Sequence, residues 1–454
     1  MAAAVSAPRF QMSAWAILRA MAAGQKFDAV GFARMLSDTY GEAVLVHTGP
    51  VIYYQFAGPE ALHEMLVEKA DQFYKAARIK GVFKPFVGEG LLTSEGDFWK
   101  RQRRLSQPAF HFKRIEGYAQ TMVEHTQRLL DGWRDGETRT LDLDMMKLTL
   151  GIVAKTLFNA DVSGDAERVG ALLTDVLEAA TLRMNAIVSA PDWFPTPRRL
   201  RQRRSVRELD AIIHRVISER QQSGDDRGDL LSMLLLARDE DGARMSDRQL
   251  RDEVMTLFLA GHETTAVALS WAWYLLAIHP AAQRRLQEEV DRVLGDRPPT
   301  IHDLPLLPYT EMVVKETMRL YPPAPGVARE PLADTTIAGI PIPRGMMVVG
   351  NIYAMHRSAR YYDEPDAFRP ERFSPEGEAA IPRYAYLPFG GGPRVCIGNT
   401  FAMVEARLIL ATMAQRFQLA LAPGQDIQPE QLITLRPGAP ISMQVTQRAA
   451  GRAV

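Results

Sequence analysis

One ten-residue stretch constrains this chain more than any other: Phe389-Gly390-Gly391-Gly392-Pro393-Arg394-Val395-Cys396-Ile397-Gly398, which holds the only cysteine in 454 residues. Four of its members are glycines. Glycine lets a backbone turn sharply and approach a flat ligand closely. Such a loop can aim backbone N–H groups at one anion, here a sulfur. A free cysteine is mostly protonated at neutral pH, so a thiolate needs that help. A helical pattern begins at Asn399, and the positive end of that helix would also favour a negative sulfur. A lone buried cysteine is commonly just a small hydrophobe. A plain core segment, however, needs neither three consecutive glycines nor a proline and an arginine beside its cysteine. The stretch reads as a thiolate cradle on the rim of a helix.

Composition narrows the classes. Lys+Arg and Asp+Glu both total 54, so the formal net charge is zero. A nucleic-acid binder would carry a basic surplus. Six arginines fall between Arg198 and Arg207, but Glu208 and Asp210 follow closely, which is the pattern of a solvated helix face. One cysteine cannot form an internal disulfide. The apolar run Met12 to Ala23 is interrupted by Arg19 and is too short for a membrane span. It also lacks the basic start and cleavage box of a signal peptide. These features predict a cytoplasmic protein without a transmembrane anchor.

The longest helical pattern follows the capping box Ser246-Asp247-Arg248-Gln249 and runs to about Ile278, where His279-Pro280 stops it. It is mostly apolar and predicted to be buried. Its middle is Ala260-Gly261-His262-Glu263-Thr264-Thr265. An acid and two hydroxyls are costly in a plain core. The Thr264 hydroxyl can bond back to the Ala260 carbonyl, and Gly261 eases bending, so the segment predicts a polar notch. A zinc-protease motif H-E-x-x-H is excluded, because its second histidine would fall on Ala266.

Three further patterns stand out. Trp99 and Arg103 are four apart, so on a helix they share a face and can grip a carboxylate together. Glu316 and Arg319 form an i,i+3 pair in a helix predicted over 309–321 and ended by Pro322-Pro323. Asp366-Ala367-Phe368-Arg369-Pro370-Glu371-Arg372-Phe373 follows downstream. Elsewhere a helix is expected over 28–40, a hairpin from Ala43–His47 and Val51–Phe56, and further strand-like runs at 335–340, 346–350 and 441–446. Residues 112–223 read as mostly helical, with a break at Pro191 to Pro197 and a charged loop at Gly224 to Gly228.

Taken together, these motifs resemble the cytochromes P-450. The cysteine stretch fits F-x-x-G-x-R-x-C-x-G at every fixed position, Ala260 to Thr264 fits A-G-x-[DE]-T, and the rest match W-x-x-x-R, E-x-x-R and P-E-R-F. The resemblance covers nearly the whole chain and implies a mainly α fold with a small β-rich lobe, counted as one catalytic domain over 1–454. It implies Cys396 as the axial ligand of haem b iron, with Phe389 in the same loop. Trp99, Arg103, Arg329 and Arg394 would hold the haem propionates. Glu263 would relay protons, while the Thr264 hydroxyl would hydrogen-bond oxygen at the haem. Glu316, Arg319 and Arg372 would form a buried network behind the cysteine loop. The region 73–93 would be a loop over the distal pocket, making Phe83 and Phe86 wall candidates, and Ala324 to Val327 would line the same pocket.

The implied reaction is insertion of one atom of O2 into a hydrophobic substrate such as a fatty acid, terpenoid or steroid. Electrons would come from NAD(P)H through an external ferredoxin or flavodoxin with its reductase, since the chain has no room for a fused one. A peroxide-driven peroxygenase or rearrangement enzyme is the competing enzyme class; Glu263-Thr264 speaks against it. A haem sensor or hydrophobic-ligand carrier is the non-catalytic alternative.

Overall fold

The computed structural model describes residues 6–13, 28–159, 166–185, 196–238, 242 and 244–448. Most of the Met12–Ala23 run and Pro191 to Pro195 lie outside the described residues. Helices dominate, and they assemble around the 32-residue helix Asp247–Ile278. Its start carries the expected capping box: the Ser246 hydroxyl accepts from the Gln249 N–H, and the Gln249 side chain accepts from the Ser246 N–H at 2.9 Å. Apolar side chains all round explain its central place, because such a helix is stable only when other elements cover every face. Leu141–Phe158, Pro308–Leu320 and Asn399–Arg416 all pack on it. At Gly261 the helix Leu141–Phe158 packs closely, since a Cβ there would lie 3.1 Å from a Val153 methyl.

The β-rich lobe is a six-stranded sheet. Its strand order is Arg9–Met12, Ala43–Thr48, Val51–Phe56, Met347–Asn351, Gly326–Pro331, Phe73–Lys75. Phe56, Leu62, Met65, Val348 and Ile352 form a separate small core beneath it. The outermost strand pairs antiparallel with its neighbour so that Lys75 stands directly opposite Arg329. Two hairpins matter for the site. One joins Pro429–Gln431 to Leu435–Pro437. Its Leu435 carbonyl accepts the Trp271 indole N–H at 2.8 Å, which ties the hairpin to the long helix. The other joins Thr335–Ile337 to Ile340–Ile342.

That second hairpin corrects one expectation. Residues 335–340 are not one strand, because Ala338 (φ 49°) and Gly339 (φ 75°) reverse the chain, the conformation a two-residue hairpin loop demands. The region 73–93 is likewise not simply a loop: it holds the strand Phe73–Lys75 and the helix Ala77–Val87. Phe86 is buried in the main helical core and Phe83 packs against that core. A short strand Thr138–Thr140, unexpected from the sequence, adds an edge to a third sheet with Phe417–Leu421 and Ser442–Gln447. No helix among the described residues is long and apolar enough to cross a membrane.

Candidate active site

The cysteine loop folds on itself through its own backbone. The Cys396 N–H donates to the Phe389 carbonyl at 3.0 Å, and the Val395 N–H to the Gly392 carbonyl at 3.1 Å. Gly390 and Gly392 have φ of 70° and 66°. At Gly392 a Cβ would strike the Leu66 carbonyl oxygen, so no other residue fits there. Phe389 anchors the loop's start by packing on the helical core. The helix Asn399–Arg416 begins directly behind, as the sequence implied.

The Cys396 sulfur lies deep among protein atoms yet stays open to solvent, the mark of a group on a cavity wall. Burial pushes its thiol up, while the Gly398 N–H and the Arg103 charge pull it down by less. The loop shapes the site, and a bound metal cation would favour the thiolate over the thiol. One cavity beside it, about 230 Å³, is lined by Arg103, Phe110, His111, Cys396 and Thr400.

Trp99 and Arg103 do share a face of the helix Gly96–Ser106. Arg103 donates to the Val395 carbonyl at 2.9 Å, joining that helix to the cysteine loop. Arg394 stacks over the Trp99 ring with 3.9 Å from its guanidinium carbon to the ring centroid. It also donates to the Ser94 carbonyl at 3.0 Å and pairs with Glu95. Burial lowers the Arg394 guanidinium, and the nearby Arg103 lowers it further against the pull of Glu95. Arg329 is set deep beside Arg394, and burial brings it down to about 10. Trp99, Arg103, Arg329 and Arg394 are therefore brought together.

Sequence reasoning missed two members of this group. Lys75 lies opposite Arg329, and the Glu95 carboxylate accepts from the Lys75 backbone N–H at 2.7 Å. Glu95 precedes the 96–106 helix, where an acid ordinarily caps N–H groups, but it makes no side-chain cap bond. Lys75, Arg329 and Arg394 thus share one carboxylate, Glu95, and Arg103 adds a fourth cation near Arg394. A flat ligand bearing two carboxylates fits that set, and haem b carries two propionates.

The polar notch is present. The Thr264 hydroxyl donates to the Ala260 carbonyl at 2.9 Å, and the His262 carbonyl accepts the Thr149 hydroxyl at 2.9 Å. Burial lowers His262 to about 4, so it is a neutral core residue. Glu263 is buried, and its carboxylate is tied to the 429–437 hairpin: it accepts from the Thr434 hydroxyl at 2.6 Å and from Arg436 Nε at 2.8 Å. Neither hairpin residue stood out in the sequence. Behind the cysteine loop, Arg319 grips Glu316 with two bonds of 2.7 and 2.8 Å, both side chains fully buried. Arg372 adds a contact at 3.3 Å, and the Arg369 N–H a bond at 2.9 Å. The remaining Arg319 hydrogens go to the carbonyls of His356, Pro365 and Ala367, so the charge is fully satisfied.

A cysteine on a glycine loop, a cation-lined wall and a notched central helix define a protein built for a flat, metal-bearing, doubly carboxylated cofactor. The model of the Cytochrome P450 family matches residues 8–444, and the chain belongs to that family. It is 38% identical over 402 residues to cyclooctatin synthase of Streptomyces melanosporofaciens, covering 88% of this chain and 87% of that one. It is 34% identical over 419 residues to pentalenene oxygenase of Streptomyces avermitilis, covering 91% and 92%. Cyclooctat-9-en-7-ol 5-monooxygenase of Streptomyces melanosporofaciens is 34% identical over 395 residues, covering 86% and 84%. The crystal structure of the cytochrome P450DA heme domain superposes with a TM-score of 0.88 at 27% identity, covering 98% of both chains. The chain is a cytochrome P450 monooxygenase, which uses haem b and O2 with NAD(P)H-derived electrons delivered by partner proteins to oxygenate a hydrophobic substrate.

Proposed function

We propose that this monooxygenase acts on a terpenoid. The observation that carries the reading is the full-length similarity to cyclooctatin synthase and pentalenene oxygenase, whose names point to cyclic terpenoid chemistry. Residues 1–454 act as one catalytic domain. The supporting features for a cytoplasmic site of action are the single cysteine and the lack of a spanning helix among the described residues.

In this reading Cys396 is the axial ligand. Trp99, Arg103, Arg329 and Arg394 take the propionates, and Phe389 braces the loop that presents the sulfur. Bound haem supplies O2 activation, driven by the electron-rich thiolate. The chain's own residues bind, orient and move protons. Thr264 keeps its hydroxyl on the Ala260 carbonyl and can swing it outward to donate. Glu263 is the acid behind it, held ready by Thr434 and Arg436. The electron donor is a ferredoxin or flavodoxin with its reductase. It meets the face around Arg394 and the cysteine loop, where Arg103 of the 96–106 helix lines the Cys396 cavity.

The test is product analysis with surrogate ferredoxin and flavodoxin systems, NAD(P)H and O2 against cyclic terpene hydrocarbons, fatty acids and steroids. The expected result is NAD(P)H-dependent product one oxygen heavier from a terpene. Turnover of fatty acids or steroids alone would overturn the substrate class, and product from peroxide alone would favour a peroxygenase.

A further inference from the structure

The notch in the central helix is gripped from outside by the helix Leu141–Phe158. A helix carbonyl ordinarily accepts one N–H, from four residues on. Three successive carbonyls of the notch each meet a threonine hydroxyl as well. Thr264 donates to Ala260 at 2.9 Å and Thr265 to Gly261 at 3.4 Å, both within the helix. The His262 carbonyl instead accepts from Thr149, 113 residues away, at 2.9 Å. Thr149 is fully buried, and its hydroxyl is also within reach of the Met145 and Met146 carbonyls of its own helix, at 3.0 and 3.4 Å. Its one proton is shared among these acceptors. The buried Thr126, Thr156, Thr317 and Thr412 donate to the carbonyl four residues back on their own helices. Thr149 departs from that pattern by reaching across to a second helix. Val153, four residues on, shares its face and closes on Gly261, where a Cβ would lie 3.1 Å from a methyl. One face thus meets the notch twice, with a methyl at Gly261 and a hydroxyl at His262. The nearby Leu148, Ile152 and Val153 are buried and apolar. A valine would fill the same space among them, so core packing does not explain the hydroxyl.

We propose that Thr149 is a positioning residue for the oxygenation reaction: its hydroxyl holds the His262 carbonyl and keeps the notch in shape where Thr264 works. The proposal rests on the reading of Thr264 given above and adds a residue from a helix that carries no motif. A hydroxyl set against the carbonyl ladder bends or loosens a helix at that turn. When Thr264 swings its hydroxyl away from Ala260, that internal bond no longer shapes the turn. The Thr149 bond comes from a separate element and persists, so Glu263 and Thr264 keep their placement through the swing.

The test compares the holoproteins of wild type, Thr149→Val, Thr149→Ser and Thr264→Ala. Product per NAD(P)H and hydrogen peroxide are measured with the substrate turned over best. The C–O stretch of the reduced carbonyl complex is recorded in the infrared, because it senses polar groups facing the bound gas. Haem content and melting are measured alongside. Thr149→Val should give about fivefold less product per NAD(P)H, the scale of one neutral hydrogen bond, with more peroxide and a shifted or broadened C–O stretch. Its haem content and melting should stay close to wild type, because the acceptor carbonyls keep their helix N–H bonds. Thr149→Ser should restore both the coupling and the C–O stretch. Wild-type coupling and C–O stretch in Thr149→Val would overturn the proposal. So would a Thr149→Ser protein as uncoupled as Thr149→Val, which would assign the effect to shape. Uncoupling matched by an equal loss of haem content would also overturn it, as the mark of general damage to the core. If Thr264→Ala stays fully coupled, the reading of Thr264 falls and this proposal with it. If Thr264→Ala uncouples and Thr149→Val does not, only the Thr149 assignment falls.

Discussion

Glu405, on the helix that follows the cysteine loop, is fully buried with the Thr265 hydroxyl beside its carboxyl. Burial raises its pKa from 4.5 to about 8. The folded protein therefore keeps a proton that the unfolded chain releases from about pH 4.5 upward. The stability this group contributes is whole below that pH and is lost as pH rises toward about 8. Glu405→Gln cannot ionise, so it should melt with wild type near pH 4 and above it at pH 8.5, by on the order of 2 °C. Melting curves across that range check the sign, and equal curves at both ends would show that the carboxyl is hydrated. Thr264 makes a different residue-scale prediction. Thr264→Ala removes a hydroxyl and a methyl from a helix and leaves the best helix former, so fold and haem loading should persist. Product per NAD(P)H should fall, by up to about 10²-fold for loss of a proton-handling group, and hydrogen peroxide should rise. A coupling assay with one good substrate reads both quantities. Unchanged coupling would leave Thr264 a helix-shaping residue only.

Among the elements, the helix Pro308–Leu320 and the segment Pro370–Phe373 stand or fall with Glu316. Its carboxylate takes two guanidinium groups and a backbone N–H, all away from water. Glu316→Ala leaves the fully buried Arg319 without its counter-ion, a change that costs about 3–5 kcal/mol. The variant should yield little haem-loaded protein, and haem content per protein together with melting measures this. These elements were legible in the sequence because their signals are local: a capping box, an i,i+3 ion pair, a glycine loop before a helix. Glu263 shows where that legibility ends. Its type and place were readable from A-G-x-E-T, but its partner Arg436 is 173 residues away on a hairpin with no motif of its own. Lys75 was invisible for the same reason: only strand pairing sets it opposite Arg329. For residues 73–93 the family resemblance implied a loop, while the strand Phe73–Lys75 and the helix Ala77–Val87, with Pro85 inside it, carry no local signal strong enough to read.

At the scale of the whole molecule, the zero net charge hides an uneven distribution, with a basic helix beside the cavity at Cys396. An acidic electron donor would be steered there, and exposed charges act over about 10 Å at 0.1 M salt. Charge pairing of this kind sets encounter rate more than affinity. Reduction by the native donor should therefore slow several-fold between about 0.05 and 0.5 M salt in stopped-flow measurements, and a salt-independent rate would argue for an apolar dock. The central claim is that this fold exists to hold haem through Cys396, and the reduced carbonyl spectrum tests it most directly. Wild type, reduced under carbon monoxide, should show the long-wavelength Soret band of thiolate ligation, and Cys396→Ser should lose it. A Cys396→Ser protein that keeps that band would contradict the assignment.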